Sequence, residues 1–592
     1  MESLPSAFRH AIEVIQRDLR KDPYLRYILL LAFVLGAFWF WHRIPNVATR
    51  DELSRLLETL VIYASVLGEP SFESLQAGVE WGRAPFGATT YLYGVLLLPV
   101  ILAAVALGDG GAIANIAFPD WAFGHYEAWA GTPEWIWAAS ISIVRLANVA
   151  FAVGSVYLVY RIGTTLADRT VGRLASLLLA LTWGVQTLAH EGGEDMPATF
   201  FVVLTVVLLL AYLRSGDRLP FLAASAAGGL AIGFKLTAAP VIPLIGLAYL
   251  LRLTRSDESG LERYRPKLVV AGAVIGLVVI FLSFPRTAVG HVDQVIERIW
   301  DGSATRADWA TGPDAPIWWW FLRQYLNGLG LGLFAGAVLG VAGSIRKIAR
   351  GDDGRNAAIL LVGAVALYVV LFSQWQDFRT HHLLPTFPFL AVLIAWPARD
   401  LLDRAPRIGR VAVAVLLVTS GLYVGVGVAQ YAEMPRDQAV EWLETNAEDD
   451  DVIEVYRRHV QDTAVPYSMT VNYAYDMSEE DLEPCPAYIQ LGYRDLLYLD
   501  PTTYYRNDPE KADYTRGLLE GEYNYEIVAE FGPRPPKFVP ERPTPGVASE
   551  LLRTGLLPHT DQYADEQELL ENQYTVILER TGSCEAERSV PY

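Results

Sequence analysis

Eleven stretches of this chain are apolar for long enough to cross a bilayer. A chain built that way folds around lipid instead of around a single water-excluding core. The stretches are Tyr24–Trp41, Ile136–Tyr160, Val171–Ala189, Pro197–Leu213, Leu219–Phe234, Ala238–Leu253, Leu268–Phe284, Trp318–Gly343, Ala357–Phe372, Leu383–Trp396 and Val411–Tyr431. Several are short or rich in Gly and Ala, which suits helices packed inside a bundle. The first follows a polar lead without a small-x-small cleavage site and reads as a retained anchor.

Lys and Arg in the short loops set the orientation. Arg9, Arg17, Arg20 and Lys21 predict a cytoplasmic N-terminus. The basic loops at 161–173, 214–218, 252–267, 346–355 and 399–410 then fall on the same side, and the tail falls outside. Residues 87–107 break this alternation. They are apolar enough to span, yet the loops on both sides look external, and Trp121, Trp129 and Trp135 suit an interface. We therefore expect 87–107 to be re-entrant or interfacial, with a bend at Pro99.

Residues 431–592 hold 34 acidic and 13 basic side chains, whereas residues 1–430 hold 32 and 34. All the net acidity lies in the tail, and no basic face invites nucleic acid. Only six basic residues are Lys. An acidic, Lys-poor domain suits a halophilic, archaeal source; the alternative is a GC-rich genome with an ordinary acidic domain. The tail predicts a helix at Arg436–Glu444 and strands at Val452–Tyr456, Ala487–Leu491, Tyr525–Phe531 and Tyr574–Leu578. Pro533–Pro545 reads as an irregular loop. The expected organisation is a polytopic α-helical membrane domain over 1–430 and an external α/β domain over 431–592. The two cysteines, Cys485 and Cys584, could pair there.

Four features carry chemistry, and all fall on the predicted outer side. Asp51 and Glu52 follow the first span, with Arg50 and Arg55 beside them. A carboxylate desolvated at a membrane edge is a useful base, although acidic residues also favour any helix N-terminus. The loop from His190 to Pro197 places Glu191, Glu194 and Asp195 together. Capping needs only one of them, so the acceptor side or a divalent metal is a candidate role for Glu194 and Asp195. Lys235 ends a Gly-rich span, where it serves a function or snorkels to the interface. Arg379, His381 and His382 meet at another outer end, as a phosphate clamp or an ordinary polar rim.

In this order the features resemble the GT-C superfamily of membrane glycosyltransferases, particularly dolichyl-phosphate-mannose-dependent mannosyltransferases and the lipid A aminoarabinose transferases. Asp51-Glu52 matches the acidic pair after the first helix. Arg83-Ala-Pro-Phe-Gly loosely matches a Pro-containing stretch, without the Pro-Pro-Leu form. Arg145-Leu146 through Arg161, Asp195, Gly228–Lys235 and His382-Leu-Leu-Pro complete the series. The tail lacks the Trp-Trp-Asp-Tyr-Gly motif of oligosaccharyltransferases, so en bloc transfer to Asn is not expected.

The resemblance implies an inverting transfer from a polyprenyl-phosphate sugar, dolichyl phosphate mannose first, to a hydroxyl on a glycan or protein. Asp51 and Glu52 are the catalytic candidates, and Lys235, Arg379, His381 and His382 the phosphate binders. No cofactor is required, and a divalent metal is left open. The competing expectations are a flippase of lipid-linked sugars, which predicts inverted repeats and midplane charges, and a scaffold presenting the tail.

Overall fold

A computed structural model describes residues 6–82, 87–116, 126–254, 264–308, 315–375, 379–448, 450–457, 460–474, 484–500, 507–540, 546–560, 573–582 and 588–592. The chain opens with α1 (Ser6–Lys21) and α2 (Pro23–Ala37). A layer at one end of the bundle follows: α3 (Arg50–Gly68), α4 (Phe72–Trp81), α5 (Gly87–Leu107), α6 (Gly110–Ala114) and α7 (Tyr126–Ala130). The bundle continues with α8 (Glu134–Leu166), α9 (Arg169–Ala180), α10 (Trp183–Ala189), α11 (Asp195–Ser215), α12 (Arg218–Phe234), α13 (Val241–Leu253) and α14 (Pro266–Leu282). The short α15 (Pro285–Ala288) and α16 (Val292–Asp308) lead to α17 (Ile317–Arg350), α18 (Arg355–Phe372), α19 (Thr380–Leu383), α20 (Phe387–Arg404) and α21 (Pro406–Ala429).

Among the described residues, eight helices are long and apolar enough to cross a membrane, nine if α9 and α10 count as one bent span. Three shorter apolar helices, α2, α12 and α14, join them. One of the nine, α5, does not run from end to end. A side chain on Gly87 would strike Ser283 and Phe284 at the end of α14. Tyr63 of α3 donates to the Gly94 carbonyl. Just past α5, Asp109 accepts from the Trp135 indole at 2.9 Å. Trp135 starts α8, about 15 Å before Arg145 at 1.5 Å per residue, and Arg145 bonds the chain just after α2. Both ends of α5 thus sit at the end of the bundle where α2 finishes. Among the described residues eleven candidate crossing helices then remain, counting the three shorter ones.

Helix α5 continues through Pro99. It exposes Tyr91, Val95, Leu98, Leu102 and Val105 at helical spacing and buries Tyr93, Leu97, Ile101 and Ala104. A half-covered apolar helix of this kind lies against lipid. Gly111, which has open space around it, tests the placement. A Gly111→Cys variant is expected to label with an impermeant thiol reagent from the face that carries the C-terminal domain. Labelling only from the opposite face would reject it.

The structure corrects the stretch Val171–Ala189. It is a pair, α9 and α10, bent by 57° at Leu181–Thr182. Helix α17 is also broken, at Gly330 with φ +67°, a conformation glycine adopts without penalty. The Tyr423 ring fills the space a Cβ would need there.

The C-terminal unit begins with α22 (Pro435–Asn446) and contains β1 (Val452–Val455), β2 (Thr470–Tyr473), β3 (Tyr488–Leu491), α23 (Tyr493–Leu496), α24 (Pro509–Glu520), β4 (Tyr525–Phe531), α25 (Ala548–Leu556) and β5 (Thr575–Arg580). The sheet order is β2-β1-β3-β5-β4. β1 is parallel to β2 and β3, and β5 is antiparallel to β3 and β4. Four of the strands follow the expected positions; β2, α24 and α25 were not foreseen. Cys485 is disulfide-bonded. Its expected partner Cys584 lies outside the described residues, as do Arg83–Phe86, Trp121 and residues 541–545 of the Pro-rich stretch.

The sheet is seated on the bundle. Arg43 meets Asp437 at 3.4 Å and donates to the Thr463 carbonyl. Asn46 donates to the Val465 carbonyl at 2.7 Å, and Tyr126 to the Thr463 hydroxyl at 2.8 Å. Between β4 and β5 the chain leaves the sheet and lays α25 on α17, where a side chain on Gly555 would crowd Leu326 and Leu331.

Candidate active site

Helix α3 starts on Thr49, whose hydroxyl accepts from the Glu52 amide at 3.1 Å. Asp51 and Glu52 occupy its first turn, where acidic side chains favour the helix dipole. Consecutive residues on a helix point roughly 100° apart. Asp51 and Arg55, four apart, therefore share a face that Glu52 does not.

Glu52 is fully buried. Its carboxylate takes both guanidinium arms of Arg145 at 2.7 Å and the amides of Ala48 and Gly192 at 2.8 Å. Arg145, also fully buried, spends its third nitrogen on the carbonyls of Phe40 and His42 at 2.7 and 2.6 Å. This pair fastens the start of α3 to α8, to the end of the first span and to the loop after α10. The Glu52 oxygens are taken up by Arg145 and the two amides, a bracing role we propose in place of the expected catalytic one.

Asp51 has the opposite environment. Its side chain is exposed to solvent. The surrounding protein raises its pKa, and Arg55, Lys235, His381 and Arg379 outweigh that, so the carboxyl is held below its usual range. Three cations and the His381 ring, from three separate chain segments, thus act on one carboxylate.

The loop before α11 supplies the remaining acids. Lys235, the residue after α12, is buried and reaches Asp195 at 2.5 Å and Glu194 at 3.6 Å. Glu194 also meets Arg55 at 3.5 Å, and Arg55 pairs with Glu58. The loop is held by His190, whose ring stacks on Tyr431 at 4.1 Å and places its two nitrogens 2.8 Å from the carbonyls of Gln186 and Phe38, to one of which its single N–H donates. Glu194 and Asp195 therefore serve the chain's own cations. Among the described residues, no group of three or more His, Cys, Asp or Glu side chains could hold a metal ion.

Arg379 precedes α19. Its backbone amide donates to His382 Nδ1 at 2.8 Å, and His382 Nε2 stands 3.0 Å from His381 Nε2. Because Nδ1 of His382 accepts, its Nε2 carries the proton and donates to His381. A neutral His381 then holds its own proton on Nδ1. Phe372 and Trp375 flank the His382 ring.

Burial pushes Glu194 up to about 7, with Lys235 and Arg55 lowering it and Asp195 and Asp51 raising it. A protonated Glu194 leaves Lys235 and Arg55 with less negative charge beside them, so an anionic ligand at these cations binds more tightly. Affinity for such a ligand is expected to fall as pH rises through about 7. Titrating binding against pH checks this, and Glu194→Gln is expected to flatten the curve in that window.

The residues singled out from sequence are linked here: Glu194, Asp195 and Lys235 by ion pairs, Asp51 to Lys235, Arg379 and His381 electrostatically, and His382 to His381 by a ring-nitrogen contact. Arg145 was noticed only as part of a motif. A lone Arg inside an apolar stretch was itself the signal, since a charge there needs a partner.

Residues 133–284 match the family model for dolichyl-phosphate-mannose-protein mannosyltransferase. A sequence comparison with curated proteins finds no match. Similar solved structures include the apo Archaeoglobus fulgidus oligosaccharyltransferase: 10% identity over 95% of this chain and 89% of that one, TM-score 0.46. ArnT from Cupriavidus metallidurans bound to undecaprenyl phosphate gives 13%, 95%, 98% and 0.46 in the same order. Its apo form gives 14%, 81%, 94% and 0.47. The chain is a multi-pass membrane protein that, by its ordered motifs and the match over 133–284, is similar to the GT-C glycosyltransferases that depend on dolichyl phosphate mannose.

Proposed function

We propose that this protein transfers a sugar, with mannose the first candidate, from a polyprenyl phosphate such as dolichyl phosphate to an acceptor hydroxyl on a glycan or protein. The observation that carries this reading is the ion-pair cluster that joins Lys235 to Asp195 and Glu194 and Glu194 to Arg55, whose cations, with Arg379 and His381, act electrostatically on the exposed Asp51. The cations hold the donor phosphate, and Asp51 receives the acceptor proton. The acceptor oxygen bonds to the anomeric carbon as the bond from that carbon to the phosphate oxygen breaks. The electron pair leaves on the phosphate, where Lys235, Arg379 and His381 stabilise it. One displacement inverts the centre and needs one base. A carboxylate held ionised by cations suits a step in which the hydroxyl proton leaves late.

The site end of the bundle is read as external. Basic loops cluster at the other end, and a disulfide at Cys485 suits an oxidising compartment. The test is purified protein given polyprenyl-phosphate mannose labelled in the sugar. Release of free polyprenyl phosphate with label on an acceptor supports the reading. Intact donor after incubation with membrane extracts from the same cells would reject it.

A further inference from the structure

The C-terminal domain touches the bundle twice in different ways. The sheet sits on the loops, but α25 and the residues after it reach between the elements that carry the site. Asn327 of α17 is fully buried. Its Nδ2 donates to the Thr380 hydroxyl at 2.9 Å and to the Thr560 carbonyl at 3.1 Å, and its Oδ1 accepts from the His559 amide at 3.3 Å. Thr380 opens α19 beside His381, and its hydroxyl donates onward to Gln324 at 2.8 Å. On the other side, the Trp183 indole donates to the His559 carbonyl. Trp183 begins α10, the helix that leads directly into the loop with Glu194 and Asp195.

Two adjacent peptide groups, at His559 and Thr560, are therefore tied to both halves of the site. One tie runs to the segment with Arg379 and His381, the other to the acidic loop that holds Lys235. The neighbouring turn is fixed as well. Tyr423 of α21 donates to the carbonyls of Thr554 at 2.7 Å and Asn327 at 3.0 Å, and its ring fits only because residue 330 is glycine. Buried polar groups joined in this way behave as one unit, because breaking any member leaves others unpaired out of reach of water.

We propose that residues 548–560 are a spacer for the active site. Acting through Asn327 and Trp183, they fix the separation between the cation segment 379–382 and the loop 190–195, and so set affinity for the polyprenyl-phosphate donor. Asn327 and Trp183 are positioning residues and touch no substrate. The donor part of this inference rests on the function proposed above; the coupling part does not.

Hydrogen exchange on the full-length protein in detergent, without ligand, reads the coupling directly. Asn327→Leu is expected to speed exchange in 379–386 and Trp183→Phe in 187–195 by about tenfold, the effect of losing roughly one buried hydrogen bond. Exchange in α2 and β1 stays as in the parent. The KM for polyprenyl-phosphate mannose rises by a similar factor while kcat changes little, a split that general destabilisation would not produce. Asn327→Asp, which keeps the acceptor for the His559 amide, is expected to fall between parent and Asn327→Leu. Trp183→Phe keeps the ring and carries the test if Asn327→Leu does not fold. Unchanged exchange in both segments overturns the spacer, and faster exchange with an unchanged KM overturns its role in affinity. If the parent protein neither binds nor uses the donor while exchange responds as expected, the coupling stands and the donor reading falls.

Discussion

Asp51→Asn is expected to lower sugar transfer by roughly 10²- to 10⁴-fold, the range a positioned general base contributes. The substitution keeps size and hydrogen-bonding reach and removes the ability to take a proton. Thr49 still caps α3 through the Glu52 amide, so the helix start survives. Asp51 is exposed, and the buried Arg55 and Lys235 keep Glu58, Glu194 and Asp195 as partners. Loss of one negative charge from the site leaves the cations freer to hold an anionic donor, so KM is expected to hold or fall while kcat collapses. Steady-state kinetics separates the two. Transfer at the parental rate would remove Asp51 from the role of base.

Arg145→Met is expected to cost about 3–5 kcal/mol, the usual effect of removing one member of a buried ion pair. The Glu52 carboxylate would remain buried, held by the Ala48 and Gly192 amides without a counter-charge. The carbonyls of Phe40 and His42 would lose their guanidinium donor. The defect is one of folding, so thermal unfolding in detergent and yield report it before activity does. Glu52→Gln is expected to cost a comparable amount, because it leaves the buried Arg145 guanidinium without its counter-charge and cannot accept both of its arms at once. A melting temperature unchanged in Arg145→Met would show that the brace is not holding the site.

The contrast between these two predictions shows what the sequence could and could not reveal. Apolar length and loop charge were enough to mark eleven candidate crossing helices and to keep α5 at one end, because bilayer thickness and charge asymmetry act locally along the chain. Asp51, Lys235, Arg379 and His381 were legible as charges at span ends. The different fates of Asp51 and Glu52 were not. Which of two adjacent carboxylates faces Arg145 depends on how α3 rolls against α8, a tertiary choice. The break between α9 and α10 was hidden because Leu181 and Thr182 interrupt neither the hydropathy nor any Gly or Pro pattern. Asn327 looked like an ordinary polar residue in a long apolar helix, since its partners at Thr380, His559 and Thr560 lie far along the chain.

The position of α25 between β4 and β5 also sets an order of assembly. Every crossing helix is synthesised and inserted before residue 548 leaves the ribosome, so the bundle must hold together for a time with nothing between α10 and α19. Strand β5, which joins β3 to β4 in the middle of the sheet, comes later still. A chain interrupted between Ala429 and Ala548 would carry every crossing helix, with its acids and cations present but without the segment proposed to space them. The proposed spacing of the site is thus completed only after every crossing helix has been made.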